Sequence, residues 1–149
     1  MATNISSDLI WEITRGHSAN LVKRKAAGGV QFSRDPLNLK NVYRRKYEGL
    51  VNDQAFGIQP SADGGVILLV KKSNKSNKPA SSLQSTTFGS GKSSRKTYSG
   101  IVNSTTRHGY RPDLRAEAVS RASAIRKSQK PVKADRPTKL RGAKAKAAA

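Results

Sequence analysis

Few residues of this chain have the types and the spacing that catalysis requires. Gly91-Lys92-Ser93 resembles the end of a phosphate-binding P-loop. That motif needs a glycine five residues before Gly91, where this chain has Thr86. No apolar strand leads into the segment either. A flexible basic loop therefore explains these residues better than a nucleotide site does.

The other catalytic and metal-binding residue types are scattered. The two histidines, His17 and His108, are far apart and the chain has no cysteine, so the usual spacings of a metal site are missing. No serine lies in a G-x-S-x-G segment. The acidic residues of the first half lie among basic residues, which keep carboxylates ionised. We therefore predict no enzyme activity, no catalytic residue, no metal ligand, no cofactor and no small-molecule substrate.

Clusters of basic residues, some with tyrosine, carry more information. Lysine and arginine contact phosphates, and tyrosine can stack on unpaired bases, so such clusters favour RNA binding. On a strand, Tyr43, Arg45 and Tyr47 would share one face. Arg44 and Lys46 would share the other face. Packing of the tyrosines beneath a solvated charged face is an equally good interpretation.

The candidate RNA-binding residues come from both halves of the chain. For those at predicted strand ends, phosphate contact and plain solubility are equally good explanations. The candidates are Lys23, Arg24, Lys25, Tyr43, Arg44, Arg45, Lys46, Lys71, Lys72, Arg111, Arg115, Arg121, Arg126, Lys127, Lys130, Arg136, Lys139 and Arg141.

Positive charge is concentrated in the second half of the chain. The 149 residues include 29 Lys or Arg and 9 Asp or Glu, a net charge of +20. Residues 1–70 hold 9 basic and 6 acidic residues, and residues 71–149 hold 20 basic and 3 acidic residues. Such an excess predicts a polyanionic partner. Only 35% of the residues are hydrophobic, which predicts one modest core.

The composition predicts an α+β protein whose compact head covers residues 1–72. Ser6 or Ser7 is expected to cap a helix that ends before Gly16, with Leu9, Ile10 and Ile13 facing a sheet. The sheet is predicted to be mostly antiparallel, and its last strand is a continuous apolar run after an Asp-Gly-Gly turn. The predicted strands cover residues 20–25, 30–33, 42–47, 55–59 and 66–70.

A basic extension is predicted to follow the head. Residues 73–111 are interpreted as a linker or arm, because residues 71–96 show no apolar period, with a weak helix at 95–106. A helix over 112–130 begins at Pro112-Asp113. Its narrow stripe of Leu114, Ala118, Ala122 and Ile125 could contact RNA or another protein. Residues 131–149 are predicted to be a disordered basic tail.

No stretch of the chain approaches the roughly 20 apolar residues that span a bilayer, and the N-terminus lacks the pattern of a signal peptide. We therefore expect a soluble protein with no membrane partner. A linker-histone-like, DNA-compacting protein would share the Lys-Ala-Pro tail, but it should have a winged three-helix domain instead of predicted strands. A nucleolar ribosome-assembly factor is the nearer alternative, although an acidic tract or a cysteine cluster would be expected in one.

Several segments resemble a known family. They are Tyr110-Arg111-Pro112-Asp113-Leu114-Arg115, Arg121-Ala122-Ser123-Ala124-Ile125 and Ser128-Gln129-Lys130-Pro131, together with Phe32 to Leu39 and Tyr47 to Leu50. They are similar to the eukaryote-type large-subunit ribosomal protein family numbered twenty-eight. The resemblance implies a structural protein of the large (60S) subunit with an α/β head and basic extensions. It also implies ribosomal RNA and neighbouring ribosomal proteins as partners, and a cytoplasmic location after nucleolar transit.

Overall fold

The computed structural model describes residues 5–75, 78–136 and 141–143, and it confirms a mixed α+β fold. The first half contains α1 (Ser7–Thr14), β1 (Leu21–Lys23), α2 (Ala26–Gly29), β2 (Gln31–Ser33), β3 (Phe56–Pro60) and β4 (Gly65–Lys71). The second half contains β5 (Leu83–Gly89), α3 (Ser94–Ser104) and α4 (Arg115–Ser128). Residues 131–136 are exposed and have no regular structure.

The main sheet is antiparallel, with the strand order β3-β4-β5. Its central strand β4 is the predicted apolar run, and it places Leu68 opposite Ile58 of β3 and Val66 opposite Phe88 of β5. A separate pair, β1 and β2, is also antiparallel. The strands β1, β2, β3 and β4 are confirmed within a few residues at their ends, because their apolar or β-branched runs were bounded by turn residues.

One core joins the sheet to both C-terminal helices. Ala118 and Ala122 of α4 are completely buried, as is Ile101 of α3. They form one cluster with Phe56 and Leu68 of the sheet. The expectation that the stripe on α4 contacts RNA or another protein is therefore wrong, since its small side chains let the helix pack closely on its own sheet.

The segment predicted to be a linker contributes to this fold. β5 pairs with β4 along all seven of its residues, from Leu83 opposite Lys71 to Gly89 opposite Gly65. The interpretation of this segment as a linker or arm is wrong for β5, and the core cluster crosses the boundary predicted after residue 72. The sequence did not indicate β5 because only Phe88 among its residues is buried. The weak helix predicted at 95–106 is confirmed as α3.

Two details of the first half differ from prediction. The strand predicted at 42–47 is absent from the structure, because only Val42 pairs with Phe32 and a 3-10 turn covers Arg45–Tyr47. The helix α1 is confirmed, and the Leu9 N–H donates to the Ser6 hydroxyl at 3.2 Å. However, Leu9 and Ile13 are 52% and 69% exposed, so the expectation that they face a sheet is wrong.

A buried carboxyl group lies in the segment between β2 and β3. Glu48 is 1% exposed, and neither of its carboxylate oxygens has a hydrogen-bond partner among the described residues. Burial, together with the nearby charge of Asp35, raises the pKa of Glu48 from 4.5 to about 7. Asp35 itself accepts hydrogen bonds from the N–H groups of Leu37 at 3.0 Å and Gly49 at 2.8 Å. Protonation therefore stabilises Glu48 in the fold.

We predict that Gly57→Ala lowers the free energy of unfolding by about 1–3 kcal/mol, the usual cost of overpacking. An alanine Cβ at residue 57 would lie 2.0 Å from the carbonyl oxygen of Pro36 and 2.8 Å from the Cα of Leu37. Gly91→Ala is the control, because nothing lies within 4 Å of its added Cβ. Urea denaturation measures the effect, and equal stability of the two variants would contradict the packing described here.

Glu48→Gln is predicted to flatten the pH dependence of stability. The folded protein keeps a proton that the unfolded chain releases, so the free energy of unfolding falls as pH rises from about 4.5 to about 7. Glutamine cannot ionise. The variant should therefore gain about 3 kcal/mol relative to the wild type across this range, since one pKa unit corresponds to about 1.4 kcal/mol.

The measurement is urea denaturation of both proteins at several pH values across that range. Asp53→Asn, which removes an exposed carboxylate, is the control and should keep the wild-type profile. Parallel profiles for Glu48→Gln and the wild type would show that the buried group does not titrate in this range.

Candidate RNA-binding surface

The predicted basic residues fall into two sets, according to what their charged groups contact. In the first set, which we call the tethered cations, the charged group binds oxygen atoms of the protein itself. The clearest is Lys71, whose Nζ donates to the carbonyl oxygens of Gly49 and Asn52 at 2.8 Å each. Burial lowers its pKa, although the charges of Asp53 and Asp35 act in the opposite direction. Lys71 thus fastens the loop after Glu48 to the end of β4.

Arg111 is a tethered cation that joins the start of α4 to the first half of the chain. Its Nε and Nη2 form a bidentate pair with Asp113, at 2.9 Å each. Its Nη1 and Nη2 also donate to the carbonyl oxygens of Gln54 at 3.0 Å and Lys46 at 2.9 Å. These hydrogen bonds hold Arg111 at φ 51°, a conformation that non-glycine residues rarely adopt. The hydrogen bond from Arg111 lowers the pKa of Asp113.

Two further arginines tether α4. The guanidinium of Arg126 donates to the carbonyl oxygens of Ser90, at 3.1 and 3.2 Å, and Lys92, at 2.8 Å. The Nε of Arg121 donates to the carbonyl oxygen of Ile58 at 3.4 Å. Arg126 therefore fixes the loop between β5 and α3 beside the last turn of α4.

Residues 43–47, the clearest basic and aromatic cluster of the sequence, are largely engaged within the fold. Tyr43 is 6% exposed, and its hydroxyl donates to the carbonyl oxygen of Thr14 at 2.9 Å. Arg45 pairs with Asp8. Lys46 lies 3.4 Å from Glu117, which also accepts a hydrogen bond from Tyr47. Of the five residues, Arg44 and Lys46 are exposed.

The second set, which we call the exposed cations, points into solvent. Within the described ranges none of them forms an ion pair. Lys72 is half-buried, and Lys139 lies outside the described residues. The exposed cations are Lys23, Arg24, Lys25, Arg44, Arg115, Lys127, Lys130, Arg136 and Arg141.

The structure brings together three exposed basic residues that are not among the candidates from the sequence. Lys92, Arg95 and Lys96, the 92–96 cluster, surround the start of α3. Lys92 and Lys96 line a shallow depression of about 520 Å³, and the Lys92 Nζ lies 5.4 Å from the centre of the Phe88 ring. Because Arg126 joins this loop to α4, the cluster lies near the helix end that carries Lys127. The spacing of the basic residues could have indicated the cluster, but the segment was interpreted as a flexible loop.

Other kinds of site find little support in the part of the chain that the structure describes. No three histidine or acidic side chains there come together as metal ligands would. No described helix combines the length and the apolar character needed to cross a membrane.

Comparisons with known proteins agree closely with each other. The sequence model of the Ribosomal L28e protein family matches residues 9–128. The Large ribosomal subunit protein eL28 of Schizosaccharomyces pombe is 42% identical over 131 residues, which cover 87% of this chain and 97% of that protein. The protein of the same name from Dictyostelium discoideum is 34% identical over 130 residues, which cover 85% and 93% of the two chains.

Proposed function

The chain belongs to the Ribosomal L28e protein family, and we propose that it is a structural, non-enzymatic constituent of the large ribosomal subunit. Its membership confirms the resemblance that the sequence showed. The similarity to the relatives named large ribosomal subunit protein eL28 extends over nearly the whole of each relative. Such a protein works with the ribosome in the cytoplasm, after a nucleolar stage of assembly.

We infer that the exposed cations bind ribosomal RNA through its phosphates. The observation that carries this proposal is the separation of the basic residues into two sets. The tethered cations already bind carbonyl oxygens of the fold, whereas the exposed cations and the 92–96 cluster have charged groups directed to solvent. A net charge of +20 makes a phosphate backbone the natural counter-charge.

The tethered cations have a different proposed role. These cations, Lys71, Arg111 and Arg126, hold loops in place. Their N–H groups donate to carbonyl oxygens of the protein, so the same N–H groups are not available to bind phosphate. Arg126 positions the loop before α3, and therefore the 92–96 cluster. We propose that the tethered cations shape the RNA-binding surface and that the exposed cations contact the RNA. Neighbouring ribosomal proteins complete the set of partners.

Sedimentation tests the ribosomal role directly. A tagged copy of the full chain, expressed in eukaryotic cells, should co-sediment with large subunits after a high-salt wash and be present in translating ribosomes. The washed small subunits are the control and should lack it. A tagged chain found only in nucleolar precursor particles would instead identify an assembly factor.

We predict that Lys127→Gln with Lys130→Gln weakens RNA binding without changing the melting temperature. Both lysines are exposed, and surface changes of this kind rarely alter stability by more than about 0.5 kcal/mol. If both contact phosphates, the log–log slope of affinity against salt should become less steep by about 1.5, since each phosphate contributes roughly 0.7–0.9. The measurement is a titration of purified large-subunit RNA at several salt concentrations.

The control for this titration is Lys40→Gln with Lys78→Gln, which removes the same charge from two exposed lysines outside the candidate set. Its slope should match that of the wild type. An equal loss of slope in both double variants would mean that net charge, and not the proposed surface, determines binding.

A further inference from the structure

The exposed apolar side chains of this protein are concentrated in one place. Among the described residues, seven large hydrophobic side chains are exposed. Three of them, Ile5, Leu50 and Leu83, line a single groove of about 760 Å³. Leu9 and Ile13 lie one turn apart on α1, the helix that begins at this groove. Scattered apolar residues need no explanation, but a contiguous patch marks an interaction site.

The groove, which we call the apolar groove, is built from three separate parts of the fold. Ile5 and Ile10 form one wall, at the N-terminal end of α1. The floor comes from the loops that contain Leu37 and Val51, both of which are buried. Leu83, at the start of β5, also lines the groove. Because these elements belong to the packed fold, the groove is formed before any partner arrives.

The charges around the apolar groove do not suit RNA. Among the described residues that line it, the only lysine or arginine is Lys71, whose Nζ already binds the carbonyl oxygens of Gly49 and Asn52. Asp35 and Asp53 also line the groove, and Asp53 is exposed. Phosphate would therefore meet a carboxylate and no available cation there.

The adjoining helix adds no net positive charge. Asp8 and Glu12 of α1 are exposed, and Arg15 and Arg45 pair with them. The whole chain has only 9 acidic residues. Because four of them lie on α1 or line the apolar groove, this part of the surface is less basic than the chain as a whole. The exposed carboxylate of Asp53, which lines the groove and forms no ion pair among the described residues, favours a partner with apolar side chains beside Lys or Arg, as protein interfaces combine an apolar centre with a charged rim.

We propose that the apolar groove and the Leu9/Ile13 face of α1 dock a segment of a neighbouring large-subunit protein that inserts apolar side chains flanked by Lys or Arg. The proposal rests on the proposed ribosomal role. The proposal assigns different partners to two surfaces: RNA to the exposed cations, and a protein segment to the apolar groove.

Site-specific photo-crosslinking tests the assignment in assembled particles. A benzophenone amino acid replaces Leu50 in one full-length variant and Lys130 in another, and each variant is expressed in cells and recovered in salt-washed large subunits. The Leu50 position should give a crosslink that survives ribonuclease, and mass spectrometry should place it in a peptide with an apolar residue beside Lys or Arg. The Lys130 position should give a crosslink that ribonuclease removes.

The outcomes separate the two proposals. If Lys130 crosslinks RNA and Leu50 also crosslinks RNA, the groove is an RNA surface and only the docking proposal fails. If Leu50 gives no crosslink, or one to an acidic segment, the docking proposal fails as well. If neither variant is found in large subunits, the ribosomal role fails, and the docking proposal fails with it.

Competition for incorporation provides a second measurement. Leu50→Asn combined with Ile13→Asn removes apolar side chains without adding charge, so it leaves the electrostatic attraction to RNA intact. Coexpressed with the wild-type chain, this variant should be under-represented in large subunits by at least about fivefold, as loss of central interface side chains typically produces. Its melting temperature should be unchanged, because both side chains are exposed.

Val30→Asn is the matched control, because Val30 is an exposed large hydrophobic residue outside the groove. It should be incorporated as well as the wild-type chain. Equal incorporation of the double variant and the wild type would overturn the proposal, as would an equal deficit in Val30→Asn.

Discussion

The contact between α4 and the sheet is the constraint on which the rest of the structure depends. Two alanines, Ala118 and Ala122, are fully buried and allow the helix to approach β3 and β4 closely. Leu114 and Ile125 close the two ends of the contact. Because α4 is fixed in this way, Arg126 reaches the carbonyl oxygens of the loop between β5 and α3, and Arg121 reaches the carbonyl oxygen of Ile58 in β3.

A strongly basic chain with few acidic residues cannot neutralise its cations by ion pairs alone. The fold uses carbonyl oxygens instead, as at Lys71, Arg111 and Arg126. Each of these contacts gives a hydrogen-bond donor to carbonyl groups of irregular loops, which have no partner in a helix or a sheet. Positive charge thus stabilises the loops, and the cations that serve this purpose are separate from those that we propose to bind RNA.

The sequence predicted the elements whose patterns are local. The apolar run of β4 follows a glycine turn, α1 has its serine cap, and α4 begins near Pro112-Asp113, so each could be located. β5 could not be located, because its exposed residues show no apolar alternation. The division of the basic residues was also out of reach, since the oxygen partners of Lys71 and Arg126 lie about 20 to 36 positions away. Only tertiary structure decides which cations are tethered.

The shared core also has a consequence for biosynthesis. The strands β3 and β4 are made early, but Ala118, Ala122 and Ile125, which cover them, are among the later residues to leave the ribosome. Until then the burial of Phe56 and Leu68 is incomplete, because α4 supplies part of their core, and domains generally fold as units during synthesis. The nascent chain therefore cannot complete its first half and then its second. It must fold in a late, concerted step, and a chaperone has longest access to it just before that step.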